Sequence, residues 1–217
     1  MPFIKAKPDS AAHQPAHEPT PQDYAAQAAL LAAPQAHVRR AAAQALGAHA
    51  EAVPALLAAV AAEGEQPVRS AMLDALAQLA ARGSEEAVSG LADCLRSEDA
   101  WLRNAAIELL RGLPSQVASV MAHLLVDWDR DVRILAVGIL DQLRHERVEE
   151  WLLQLIEADA DVNVCGAALD VLADVATPAA LAPVTRLLAR FPAEPYLEFA
   201  GALVRSRLHA DAAAQEA

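Results

Sequence analysis

Asp129-Arg130-Asp131-Val132-Arg133-Ile134-Leu135-Ala136-Val137-Gly138-Ile139-Leu140 decides the fold, because the chain repeats it. The Val132-Arg133 pair returns as Val38-Arg39, Val68-Arg69 and Leu102-Arg103, then in weaker form as Val162-Asn163, at steps of 30, 34, 30 and 30 residues. A fixed period of this length is the mark of a repeat architecture. Behind each pair, positions +3, +4, +7 and +8 form one stripe. They read Ala41, Ala42, Ala45, Leu46, then Ala71, Met72, Ala75, Leu76, then Ala105, Ala106, Leu109, Leu110. The fourth copy gives Leu135, Ala136, Ile139, Leu140, and the fifth gives Cys165, Gly166, Leu169, Asp170. That spacing is one buried face of an α-helix.

A second stripe follows about 15 residues later in each copy. It reads Val53, Leu56, Leu57, Val60, then Val88, Leu91, Ala92, Leu95, then Val117, Val120, Met121, Leu124. Val148, Trp151, Leu152, Leu155 and Leu181, Val184, Thr185, Leu188 complete the set. Pro54 and Pro183 fall early in their helices, where a missing N–H costs little. Each unit is therefore two helices joined by a turn, repeated head to tail. The pattern Asp-x-x-Val-Arg-x-x-Ala-Ala-x-x-Leu, turn, Val-x-x-Leu-Leu-x-x-Leu resembles the HEAT repeat. The short period is similar to that of the phycocyanobilin-lyase type. The resemblance spans residues 23–208 and implies an all-α fold: a right-handed α-α superhelix of about five helical hairpins with capping helices. A fold of this kind serves many functions, so the resemblance says little about activity.

The totals agree with an aliphatic solenoid: 55% hydrophobic residues but only 4% aromatic. Seventeen cationic and 29 acidic side chains leave a formal charge of −12. An acidic chain repels phosphate backbones and anionic membrane surfaces, which points away from nucleic acid and membrane; the charge either suits a protein partner of basic character or serves solubility alone, the reading that surface acid favours. Cys94 and Cys165 belong to no C-x-x-C pair and lie on Ala-rich faces, as reduced thiols of a cytoplasmic protein do. No apolar run is long enough to span a bilayer, and the N-terminal stretch has no apolar core of a secretory signal.

Residues 1–22 read as a disordered Pro-, Ala- and His-rich tail. One apolar and basic piece, Phe3-Ile4-Lys5, stands out within it as a candidate docking motif. Order begins at Asp23, and the solenoid runs to Leu208, with residues 209–217 fraying. Units fall near 35–63, 66–97, 99–128, 129–158 and 160–190. A last helix from Glu194 faces inward with Leu197, Ala200, Gly201, Val204 and Leu208. Its outer residues Glu198, Arg205 and Arg207 suit an end cap.

Chemistry-bearing patterns are sparse. Arg39, Arg69, Arg103 and Arg133 form a ladder, with Asp99, Asp129, Asp131 and Asp161 near the helix starts. In HEAT-like arrays such residues cap helices and link units, and each exposed pair is worth only about 0.5 kcal/mol. His145-Glu146 is the kind of pair that di-iron HEAT-like hydroxylases use, but the only other pair, His17-Glu18, lies in the tail. One pair cannot supply a di-metal site. No catalytic residue, cofactor or metal is expected.

Three readings follow. The first is a non-catalytic scaffold or adaptor that binds a partner protein on its concave face. The resemblance implies that the second helices line that face. Their outward residues then include Ser89, Asp93, Ser119, His123, Glu149, Glu150 and Leu153, with Trp101 and Trp128 at the turns as candidate anchors. The second reading is a carrier of a small ligand, similar to the bilin lyases, which leaves lyase-like activity open. The third is nucleic-acid binding, as in HEAT-like alkylpurine DNA glycosylases, and the charge opposes it. The sequence does not set the oligomeric state.

Overall fold

The structure is a computed structural model and describes residues 21–215. Residues 1–20 of the expected tail, including Phe3, Ile4 and Lys5, lie outside the described residues, while Pro21 and Gln22 already open the first helix. Twelve α-helices and no strand occur among the described residues. They are α1 (Pro21–Leu30), α2 (Ala36–Leu46), α3 (Val53–Ala62), α4 (Gln66–Ala81), α5 (Glu85–Asp93) and α6 (Ala100–Arg111). The rest are α7 (Pro114–Leu124), α8 (Arg130–Leu140), α9 (Val148–Ala158), α10 (Val162–Val175), α11 (Leu181–Arg190) and α12 (Pro195–Gln215). The last helix carries on past Leu208 to Gln215.

The even-numbered helices form one row, each packed on the next from α2 to α12. These are the helices that open with the Val-Arg pair or its equivalent. The odd-numbered helices form the second row. Between the rows runs one continuous core from Ala43 to Leu208. Full burial of a Leu or Val stabilises by roughly 1.5–3 kcal/mol, and every unit contributes several: Leu46, Leu56 and Val60, for example, then Leu76, Leu91 and Leu95.

Helix starts are set by short side chains. Asp99 accepts hydrogen bonds from the N–H of Trp101 at 2.8 Å and of Leu102 at 3.4 Å. Asp129 accepts from the N–H of Asp131 at 2.9 Å. Asp161 accepts from the N–H groups of Asn163 at 2.8 Å and Val164 at 3.2 Å. Each such cap is worth about 1 kcal/mol. Gly83 ends α4 with φ +96°, a conformation that a side chain disfavours.

These caps correct the register of the fifth unit. Counted from the capping residue, the buried Val or Leu stands three positions on: Asp99 to Leu102, Asp129 to Val132 and Asp161 to Val164. The copy therefore starts at Val164-Cys165, not Val162-Asn163. Its stripe is Ala167, Ala168, Val171 and Leu172, with no polar break, and Asp170 faces solvent as its counterparts Asp74 and Glu108 do. The second stripe shifts as well. Ala180, Pro183, Val184 and Leu187 are buried, whereas Thr185 is exposed and its hydroxyl donates to the Leu181 carbonyl at 2.7 Å. At the other end, Ala41 and Ala45 are exposed although Ala71 and Ala75 at the same positions are buried. Among the described residues, no earlier even-numbered helix covers them.

The rows are not equally tight. At the steps α2 to α4, α8 to α10 and α10 to α12 the even-numbered helices approach more closely than the odd-numbered helices beside them. Small residues such as Ala71, Ala75 and Gly166 let these helices approach.

Candidate partner-binding site

The arginine ladder is built into the turns. Arg39 holds Glu63 with two bonds, of 2.6 and 2.9 Å, and donates back to the carbonyls of Ala33 at 2.9 Å and Pro34 at 3.0 Å. Arg133 repeats this with Asp159, at 2.6 and 3.2 Å, and with the Asp127 carbonyl at 2.7 Å. Arg103 donates to the Ser97 carbonyl at 2.7 Å, but Asp127, which stands where Glu63 and Asp159 stand, is taken by Arg96. Arg69 pairs with Asp99 at 2.7 Å and lies over the Trp101 ring, 4.6 Å from its centre. The hydrogen bond from Arg39 holds the Glu63 carboxyl below its usual range, and that from Arg69 does the same for Asp99. Asp131 is exposed and touches only Arg130, its neighbour, at 3.4 Å. The arginines of the ladder are thus engaged within the fold, whereas Asp131 stays open to solvent.

The nine surface residues expected to bind a partner separate into groups. Ser89, Asp93 and His123 come together in one shallow groove between α5 and α7, with Arg96 and Val120. Ser119 is exposed and donates to the Gln116 carbonyl of its own helix at 2.8 Å. Glu149 accepts from the backbone and hydroxyl of Thr177, at 2.7 and 2.9 Å, and so fixes the turn before α11. Glu150 is held by Arg147 through two bonds of 3.0 Å, which keep its carboxyl below the usual range. Leu153 is half-buried and packs on the core, not outward as expected, because it faces the seam between units. Trp101 wedges beneath Arg69, and no ring contact joins it to Trp128 among the described residues. Trp128 itself stands 86% exposed, next to Val126 at 74%.

That exposed turn borders a cleft. The odd-numbered row packs continuously from α3 to α7 and again from α9 to α11, and it is loosest between α7 and α9. The gap holds a cavity of about 440 Å³ lined by Leu125, Val126, Trp151, Leu155 and Ala158, with Arg133 and Asp159 at one edge. Trp151 is buried against His145, stacked at 4.9 Å, and its indole Nε1 has no hydrogen-bond partner among the described residues. The cleft thus combines apolar walls with two large exposed side chains in the adjoining turn.

A second surface escaped the sequence reading. The outer face of α12 is not the polar cap that Glu198, Arg205 and Arg207 suggest. Tyr196, Phe199 and Leu203 are 47%, 63% and 45% exposed and share one stripe. Their i, i+3, i+7 spacing was the available signal. Tyr196 lies against Gly166, where an added Cβ would sit 2.4 Å from the ring, and its hydroxyl donates to Asp170. That bond, with burial, pushes the Tyr196 phenol up to about 12.

Among the described residues, no group of His, Cys, Asp and Glu is placed to hold a metal ion, and no helix is long and apolar enough to cross a membrane. Cys94 and Cys165 are free and buried, and burial pushes both thiols up to about 11.

Known proteins agree with the fold. No curated protein matches the sequence. The chain is similar to the archaeal HEAT-like repeats protein of Thermococcus onnurineus NA1, at 17% identity over 86% of this chain and 88% of that one, with a TM-score of 0.44. It is also similar to the complex of CpcE and CpcF of phycocyanin lyase from Nostoc sp. PCC7120, at 21% identity over 95% and 100% of the two chains, with a TM-score of 0.35. An engineered protein aligns at 16% identity over 87% and 97%, with a TM-score of 0.40. None of these likenesses carries an argument about function. The profile described as HEAT repeats matches residues 25–111 and 117–197, most of the chain and every two-helix unit described above, so this protein belongs to the HEAT-repeat family.

Proposed function

We propose that the protein is a non-catalytic scaffold that holds a partner protein at the cleft between α7 and α9. The observation that carries this reading is the turn beside the cleft, where Val126 and Trp128 are exposed although nothing in the fold requires it. Tryptophan is the residue most enriched among those that dominate binding energy. Asp129 and Asp131, which follow closely on Trp128 in sequence, favour a partner of basic character. The site lies on the second-helix row and keeps Trp128 of the residues first expected. Glu149 and Trp101 serve the fold instead.

The test is capture from the native lysate with Trp128→Ala and Val126→Ser chains. Trp128→Ala should shift stability by no more than about 0.5 kcal/mol, as surface substitutions do. It should weaken capture of a specific protein by at least about tenfold, the loss expected for a binding hot spot. Undiminished capture contradicts the assignment. A second reading, a small-ligand carrier, is favoured by one observation: the cavity's volume and its largely apolar lining. A chromophore or other small molecule that co-purifies with wild type, and is lost on Ala158→Trp, would favour it.

A further inference from the structure

The stripe of Tyr196, Phe199 and Leu203 on α12 is left unused by the core and by the cleft. It ends the row of even-numbered helices. Acidic groups border it: Asp170 bonds to Tyr196, Asp174 lies one helical turn farther along α10, and Glu198 adjoins Phe199. A ligand for such a surface carries apolar side chains with positive charge close beside them.

The chain contains one segment of that chemistry. Its only two lysines are Lys5 and Lys7, and they follow directly on Phe3 and Ile4. All other cationic side chains apart from histidine are arginines, most of them committed to turns and neighbouring carboxylates. Lysine stems cover apolar surface while the ammonium reaches a carboxylate. Phe3 and Ile4 against Phe199 and Leu203, with Lys5 and Lys7 against Asp174 and Glu198, pairs apolar with apolar and cation with anion.

Chain length decides whose segment it is. Thirteen residues separate Lys7 from Pro21, and the fourteen steps between them span at most about 50 Å when fully extended. The row from α2 to α12 has five steps, each about 8–10 Å between axes, so about 40–50 Å must be crossed. Within one molecule the connecting residues would be pulled almost straight, at a high cost in chain entropy. A neighbouring molecule meets no such limit, and two copies that exchange segments make the contact twice. We propose that the α12 stripe of one copy receives residues Phe3–Lys7 of a second copy. The proposal is independent of the cleft between α7 and α9.

Sedimentation velocity of the full chain over rising concentration tests it. Wild type should move from one-chain to two-chain sedimentation and return to one chain in high salt. Lys5→Glu with Lys7→Glu should abolish the second species, and so should Phe199→Ser at an unchanged melting temperature. Asp174→Lys with Glu198→Lys should restore it in the Lys5→Glu, Lys7→Glu chain, an outcome that a general loss of solubility cannot mimic. A chain that stays single at every concentration overturns the proposal, as does a dimer that ignores the tail substitutions.

Discussion

In the fourth unit Arg133 of α8 spans two turns, through the Asp127 carbonyl before its helix and the Asp159 carboxylate after α9. In the fifth unit Cys165 stands at the same position, and its thiol reaches the Asp159 carbonyl at 3.6 Å, six residues back, as Arg133 reaches Asp127. The guanidinium arrives from the opposite side. Arg190 of α11 donates to the carbonyls of Ile156, Glu157 and Asp159 and lies 3.7 Å from the Cys165 sulfur. Both units bring donors to the carbonyls of a turn between helices. The difference teaches that the turn needs those donors, since unpaired buried carbonyls are costly, while the strand of sequence that supplies them can change. Asp159 joins the two arrangements, with its carboxylate serving the fourth unit and its carbonyl the fifth.

The largest expected effect concerns what the units share. Leu140 and Leu172 occupy the same position and are fully buried. Asp at either site buries an unpaired charge and should cost more than about 4 kcal/mol. Calorimetry should show the whole array lost together for both. Selective melting of one end would break their equivalence.

Next comes Arg133→Ala. It leaves the Asp159 carboxylate, only 4% exposed, without its counter-charge. Loss of one partner of such a pair costs about 3 kcal/mol, which chemical denaturation would read. Arg190→Ala should cost less, about 1–2 kcal/mol, because neutral carbonyls are left and water can reach part of them. Cys165→Arg in the Arg190→Ala chain sharpens the comparison, since it restores the arrangement of unit four in unit five. It should recover part of the loss, and no recovery would show that the side of entry does matter.

The smallest effect is the pH dependence of the ladder. Arg39 and Arg69 depress the Glu63 and Asp99 carboxyls in the fold. The folded chain then binds fewer protons than the unfolded one, so stability rises with pH through this window. The contribution is complete above the ordinary values, about 4.3 for Glu and 3.9 for Asp, and is lost as pH falls through the depressed ones. Glu63→Gln and Asp99→Asn should each flatten the acid limb of melting temperature against pH. An unchanged limb would detach these pairs from stability.

Most of the fold was legible because helical periodicity and the Val-Arg step are local. The fifth register was not, because Val162 keeps the step of 30 residues while Val164 keeps the spacing from Asp161. The cap, rather than the step, sets the helix in space. Glu149 and Trp101 looked free because their partners, Thr177 and Arg69, are about thirty residues away in sequence. Trp128 was legible as a turn residue and candidate anchor from its place between two helical stripes.

Site-specific photo-crosslinking in native lysate tests the central claim most directly. A crosslinking residue is placed at Trp128, beside the cleft, and in a second chain at Asp74, exposed on the opposite row. The account predicts one dominant protein adduct from position 128, lost in high salt, and none from position 74. Equal adducts from both positions, or an adduct from position 74 alone, would contradict it.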